Sequence, residues 1–124
     1  MVALNANKSL RRLELYGPSY SLFEENGWRL FVDFIANNSL ERLYVYYCEL
    51  DNKSFHLLSN ALKHNTKLSN LDLHSLNDDS LCTLADDLKH NHTLRYLNLK
   101  GNRYGKETRI RLLHKLNHIK ELHV

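Results

Sequence analysis

The stretch Leu94–Asn102, with the sequence LRYLNLKGN, decides the architecture of this chain of 124 residues. It follows the pattern L-x-x-L-x-L-x-x-N, and its spacing of three aliphatic residues occurs five times. The five triplets are Leu10, Leu13 and Leu15; Leu40, Leu43 and Val45; Leu68, Leu71 and Leu73; Leu94, Leu97 and Leu99; and Ile119, Leu122 and Val124. Self-similarity at a nearly fixed period is the signature of repeat architectures. The sequence therefore predicts an α/β fold in which short repeats stack into a solenoid.

Each repeat also carries apolar residues upstream of its triplet. The triplets begin at residues 10, 40, 68, 94 and 119, so the intervals are 30, 28, 26 and 25 residues. The residues 13, 10 and 6 positions before the third and fourth triplets are Phe55, Leu58 and Leu62, then Leu81, Leu84 and Leu88. That spacing is typical of one face of an amphipathic helix. We therefore predict one domain, 1–124, of helix–turn–strand repeats, with strands near 10–16, 40–46, 68–74, 94–100 and 119–124.

Polar residues mark the predicted helix ends. Asp51-Asn52 and Asp78-Asp79-Ser80 offer side-chain acceptors to the first N–H groups of two helices. Asparagine tolerates the left-handed conformation that often terminates a helix. We therefore predict such C-terminal turns at the asparagines three residues before the first four triplets: Asn7, Asn37, Asn65 and Asn91.

The first connection and the two ends depart from the regular repeat. Pro18 lies in the longest interval and predicts a loop that bulges outward. In the last repeat, the inward helical stripe is predicted to be Ile110, Leu113 and Leu116. The chain starts in a predicted last helical turn, 3–7, and stops inside a predicted strand. We therefore expect either a fragment of a longer solenoid or a chain that self-associates through its uncapped ends.

Composition and charge exclude several classes of function. The net charge of +3 comes from 17 basic and 14 acidic residues that are mixed along the sequence, without the basic cluster typical of nucleic-acid binders. No apolar run approaches the roughly 20 residues of a membrane span, and no apolar signal segment follows Met1. Cys48 and Cys82 then suggest free thiols in a reducing compartment. We expect a cytoplasmic protein that binds neither nucleic acid nor membranes.

The repeat resembles the ribonuclease-inhibitor-like (NLR-type) class of leucine-rich repeats, found in ribonuclease inhibitors, NACHT-type immune receptors and activators of Ran-type GTPases. The resemblance rests on the five triplets, the helices 55–62 and 81–88, and the eighth position after each triplet begins. That class places Asn or Cys at the eighth position to hydrogen-bond the turn; Cys48 and Asn102 match, whereas Pro18 and Leu76 depart. The resemblance implies a horseshoe segment with parallel strands on the concave face and helices on the convex face. It implies no catalytic residue.

The residues between the strand leucines are predicted to line the concave face. Four tyrosines and two arginines lie there, and both types are enriched at binding hot spots. The alternative is a solvated sheet face in which tyrosine serves only as a β-former. We favour a partner-binding surface made of Arg12, Glu14, Tyr16, Arg42, Tyr44, Tyr46, Asp72, His74, Tyr96, Asn98 and Lys100, with Arg12, Arg42, Tyr44, Tyr46 and Tyr96 as its anchors. The same columns also contain Asn70, Glu121 and His123.

No motif indicates an enzyme, a metal site or a cofactor. His114 and His118 are four apart and could share a zinc ion, but no further ligands complete a set, so surface histidines are favoured. Cys48 is expected to be buried and inert. We therefore predict a non-catalytic protein–protein interaction module. The alternative is a regulatory subunit of an enzyme: a GTPase activator acting through Arg103, or the substrate receptor of a ubiquitin ligase.

Overall fold

The computed structural model describes residues 8–17, 25–37, 39–48 and 50–124. Within them, five strands alternate with four helices. The elements are β1 (Arg12–Tyr16), α1 (Glu25–Asn37), β2 (Arg42–Tyr46), α2 (Asn52–His64), β3 (Asn70–Leu73), α3 (Asp78–Leu88), β4 (Tyr96–Asn98), α4 (Lys106–Lys115) and β5 (Glu121–His123). Each strand lies inside one of the predicted stretches. The predicted helical turn at 3–7 and the proline of the predicted loop, Pro18, lie outside the described residues.

The strands form one parallel sheet in the order β1-β2-β3-β4-β5. The middle leucines of the triplets pair in register, from Leu13 through Leu43, Leu71 and Leu97 to Leu122. Parallel neighbours require a crossover connection, and one helix lies between each pair of consecutive strands. The chain is therefore an α/β protein in which a five-stranded parallel sheet alternates with four helices.

The core lies between the helices and one face of the sheet. The strand residues Leu43, Leu71 and Leu97 and the helix residues of α2 and α3 predicted to face inward are all buried in one cluster. Each such side chain contributes about 1.5–3 kcal/mol on burial. Consecutive helices pack against one another, so they form a row along this face of the sheet. The alternate strand residues point to the other face, which no described helix covers.

The last helix presents a different face from the one predicted. Ile110 and Leu113 are 56% and 46% exposed, whereas Leu112 and Leu116 are fully buried. The predicted inward stripe is therefore correct for Leu116 but wrong for Ile110 and Leu113. Leu116 stands at the repeat position that Asn91 occupies in the preceding repeat. The N–H of Asn91 donates to the carbonyl three residues back, that of Leu88, whereas the N–H of Leu116 donates to the carbonyl of Leu112, four residues back. This longer step turns the inward face of α4 by one residue relative to its strand.

Buried asparagines link consecutive repeats. Asn91 Nδ2 donates to the carbonyls of Leu62 at 3.0 Å and Asn65 at 3.3 Å, both in the preceding repeat. Its Oδ1 accepts from the N–H groups of Thr93 at 3.0 Å and Leu94 at 2.9 Å in its own turn. Asn65 bridges its neighbours in the same way. These amides satisfy backbone groups that the end of a helix leaves without partners.

The left-handed turns predicted at these asparagines are not observed in the structure. Asn65 does cap the end of α2, where its N–H donates to the carbonyl of Leu62, but its backbone is extended, with φ −72° and ψ 131°. Its side-chain oxygen accepts from the N–H groups of Lys67 and Leu68 in the turn that follows. Asn37 is the last residue of α1 and donates to the carbonyl of Asp33, and Asn7 lies outside the described residues. At the helix starts, Asp51 accepts from the N–H of Ser54 at 2.7 Å, as predicted, whereas Asn77 rather than Asp78 caps α3.

Asn102 closes the turn after β4, as the sequence predicts for the eighth position. Its Oδ1 accepts from the N–H of Leu76 at 2.7 Å, and its Nδ2 donates to the carbonyls of Leu73 and Leu99, both at 2.8 Å. The thiol of the buried Cys48 contacts the carbonyl of Tyr46 at 3.5 Å. In the part of the chain that the structure describes, no helix has the length and apolar character to cross a membrane.

Candidate protein interface

The parallel register aligns the predicted concave residues in rows across the open face of the sheet. One row runs through Arg12, Arg42, Asn70, Tyr96 and Glu121. The next runs through Glu14, Tyr44, Asp72, Asn98 and His123, and in a third Tyr16 pairs with Tyr46. His74 and Lys100 follow directly after β3 and β4. We call these fourteen aligned residues the sheet face.

Tyr46 is the centre of an aromatic cluster on the sheet face. Its ring stacks on that of Tyr16, with centroids 4.9 Å apart, and lies nearly parallel to that of Tyr44 at 6.4 Å. The His74 imidazole packs edge-to-face with the same ring, with centroids 4.8 Å apart. Aromatic pairs at these distances gain about 0.5–1.5 kcal/mol beyond their burial. The cluster therefore holds two predicted anchors, Tyr44 and Tyr46, in fixed orientations.

The two predicted anchor arginines have different surroundings. Arg12 forms an ion pair with Glu14 and lies over the Tyr44 ring, 5.0 Å from its centroid. Hydrogen bonds from Arg12 and then Tyr16 lower the pKa of Glu14 below its usual value. Arg42 is exposed and has no ion-pair partner among the residues that the structure describes. Of the two anchor arginines, Arg42 is thus the one whose charge is left for an external group.

Asp72 is buried at the centre of the sheet face, which corrects its predicted exposure. Only 5% of the residue is accessible. Its Oδ2 accepts hydrogen bonds from Tyr46 Oη at 3.1 Å and Asn98 Nδ2 at 3.0 Å. His74 Nε2 lies 3.1 Å from Oδ1, but the two are not aligned as a hydrogen bond, and this buried oxygen accepts none from the described residues. Burial first, and then the Asp72 charge, raises the pKa of Tyr46 well above its ordinary value.

Tyr47 belongs to the same region, although the sequence analysis missed it. It is 64% exposed, and its ring centroid lies 6.0 Å from that of His74. Its φ is +57°, and the residues at the same repeat position, Ser75 and Gly101, also have positive φ, at 66° and 82°. A tyrosine in this conformation costs about 1–2 kcal/mol. Glycine at this position in the first and fourth repeats, Gly17 and Gly101, was the signal in the sequence that the backbone turns there.

Of the two histidines considered for zinc, His114 and His118, the second has other contacts. His118 Nε2 donates to the carbonyl of Asn91 at 2.8 Å, and its ring lies 5.2 Å from that of His92. His118 therefore links the last repeat to Asn91 by the same kind of bond through which Asn91 donates to the carbonyl of Asn65. Within the described residues, no three His, Cys, Asp or Glu side chains lie close enough to hold a metal ion.

Comparisons with known proteins show the fold but no family. No protein-family profile matches the chain, and no curated protein matches it. Among solved structures, the chain is similar to one titled leiomodin-1 actin-binding site 2, with a TM-score of 0.76. The aligned residues cover 97% of this chain and 73% of that one, at 14% identity. At this identity the likeness concerns the fold alone.

Proposed function

We propose that the chain is a ribonuclease-inhibitor-like leucine-rich-repeat segment that binds a protein partner through the sheet face, which forms the concave side of a solenoid. The observation that carries this proposal is the cluster of packed tyrosines, together with the unpaired Arg42, on the face that no described helix covers. The module is non-catalytic and works in the cytoplasm. The likeness to a structure titled as an actin-binding site is consistent with a protein partner.

The geometry of the sheet face suits recognition of a protein. The rings of Tyr16, Tyr44 and Tyr46 are already packed together, so they lose little conformational freedom when a partner covers them. Tyrosine offers a large apolar ring and a polar hydroxyl at once. Arg42 can pair with an acidic group of the partner, and such complementarity mainly governs the rate and specificity of association.

The test is site-specific photo-crosslinking in an extract of the source organism. A photoreactive phenylalanine analogue replaces Tyr44 in one protein and His56, which is exposed on α2, in a matched control. We expect a protein adduct from position 44 that unlabelled chain competes away and that Arg42→Ala weakens. An adduct at position 56 but none at position 44 would place the interface on the helices and refute the proposal.

A further inference from the structure

We propose that the sheet face accepts a lysine side chain of the protein partner, with its ammonium group bound to Asp72 Oδ1. The inference rests on the proposed function and specifies the chemistry that the partner presents. The observation behind it is that the two oxygens of the buried Asp72 carboxylate have different hydrogen-bond partners.

The two oxygens of Asp72 are used very differently. Oδ2 accepts from both Tyr46 and Asn98, at 3.1 and 3.0 Å. Oδ1 is buried and accepts no hydrogen bond from the described residues. Leaving a buried acceptor unpaired costs about 1–3 kcal/mol, and more for a charged group. A donor that reaches Oδ1 would recover this cost on binding, so the carboxylate is poised for an external cation.

The occupancy of Oδ2 favours lysine over arginine. Arginine binds carboxylates best through two parallel N–H bonds, one to each oxygen. Because Tyr46 and Asn98 already use the acceptor capacity of Oδ2, only a single oxygen is left. A lysine ammonium is a compact point charge that can donate to one oxygen, and its slender stem can pass between aromatic rings.

The surroundings of Asp72 also suit a cation. The register places Tyr44 directly beside Asp72 and Tyr96 one step away on the neighbouring strand. Burial, and then the charges of Asp72 and Tyr44, raise the pKa of Tyr96. Aromatic faces attract an ammonium group. The positive charge of Arg12, which lies over Tyr44, is offset by Glu14.

The His74 imidazole covers Oδ1 and must move aside for a lysine to enter. Its side chain is 21% accessible, and its ring packs edge-to-face with that of Tyr46 and at a tilt to that of Tyr47. Gly101 lies beside it, and a Cβ at that position would be 3.6 Å from the ring. The absent side chain leaves space into which the imidazole can turn. His74 therefore blocks access to Oδ1, and its removal should ease lysine binding.

The experiment is an NMR titration with Nα-acetyl-lysine N-methylamide, observing the backbone amides of the sheet face. We expect a dissociation constant in the millimolar range, weakened at least about tenfold by Asp72→Asn, as for loss of one charge-assisted hydrogen bond. Asp33→Asn, on the exposed side of α1, should leave it unchanged. The matching arginine amide should bind several-fold more weakly, and the norleucine amide should not bind. His74→Ala should strengthen lysine binding several-fold, which tests the site without altering Asp72.

The outcomes separate this inference from the proposed function. The inference fails if the lysine amide shifts no sheet-face amide at about 100 mM, if Asp72→Asn binds it equally well, or if the arginine amide binds more tightly. If the position-44 adduct nevertheless forms, protein binding stands and only its chemistry was misassigned. If the lysine amide binds at Asp72 but the protein adduct forms at position 56 and not at position 44, the site exists and the proposed function is refuted.

Discussion

Asn91→Ala should destabilise the chain more than any substitution of an exposed asparagine. The asparagine is 7% accessible and makes four hydrogen bonds, two to the preceding repeat and two to its own turn. At about 1 kcal/mol for each bond, the side chain contributes about 4 kcal/mol. Because water can reach part of the opened turn, we expect a loss of about 3 kcal/mol in the free energy of unfolding. Domains of this size are stable by only about 5–15 kcal/mol in total.

Urea unfolding at 25 °C, followed by far-UV circular dichroism, measures this loss. The matched control is Asn60→Ala, on the exposed side of α2, which should change the free energy of unfolding by less than about 0.5 kcal/mol. A loss below about 1 kcal/mol for Asn91→Ala, with an unchanged dependence on urea, would show that the amide bridges do not hold the repeats together. The account of how consecutive repeats are joined would then be wrong.

Two further predictions concern the turns and the helix starts. Gly17→Ala should destabilise the fold by more than Gly101→Ala, because the added Cβ would lie 2.2 Å from the carbonyl oxygen of Tyr47. At Gly101 the substitution meets only a positive φ of 82°, which costs about 1 kcal/mol. Equal losses of stability in thermal unfolding would contradict this prediction. The hydrogen bonds from Ser54 lower the pKa of Asp51, so its contribution to stability is present above its ordinary pKa and is lost as the pH falls below about 4. Asp51→Asn keeps an acceptor oxygen but does not titrate, so its midpoint of thermal unfolding should fall less steeply with acid; identical slopes would exclude the cap as the cause.

The leucine triplets predicted the sheet well because two features of the repeat indicate it: the spacing within each triplet and the recurrence of the triplets along the chain. Each triplet provides inward residues at a spacing of two, and the repetition itself aligns neighbouring strands in parallel. The helices α2 and α3 followed in the same way from their apolar stripes. The last helix did not, because Leu116 occupies the asparagine position and closes the turn with a longer step. Counting six residues back from the start of the triplet, as in the earlier repeats, therefore predicted Leu113 as the buried helix residue instead of Leu112.

The candidate interface was predictable in its membership but not in its electrostatics. Alternation along the strands identifies which residues share the sheet face. It does not show that Arg12 is neutralised by Glu14 while Arg42 remains unpaired. Nor does it show that Asp72 is covered by its neighbours, because that depends on where the Tyr46 and His74 side chains pack. The backbone strain at Tyr47 was not predicted either, because a tyrosine at this position gives no sign of a positive φ.

The central claim is that the sheet face binds a protein, and the most direct measurement is the affinity of the cross-linked partner for two double variants. Arg42→Ala with Tyr96→Ala removes two anchors of the sheet face; His56→Ala with Lys63→Ala removes two exposed residues of α2. Hot-spot residues cost more than about 1 kcal/mol each on truncation. Surface plasmon resonance should therefore show at least about 30-fold weaker binding for the first pair and an unchanged constant for the second. Loss of binding confined to the α2 pair would contradict the account.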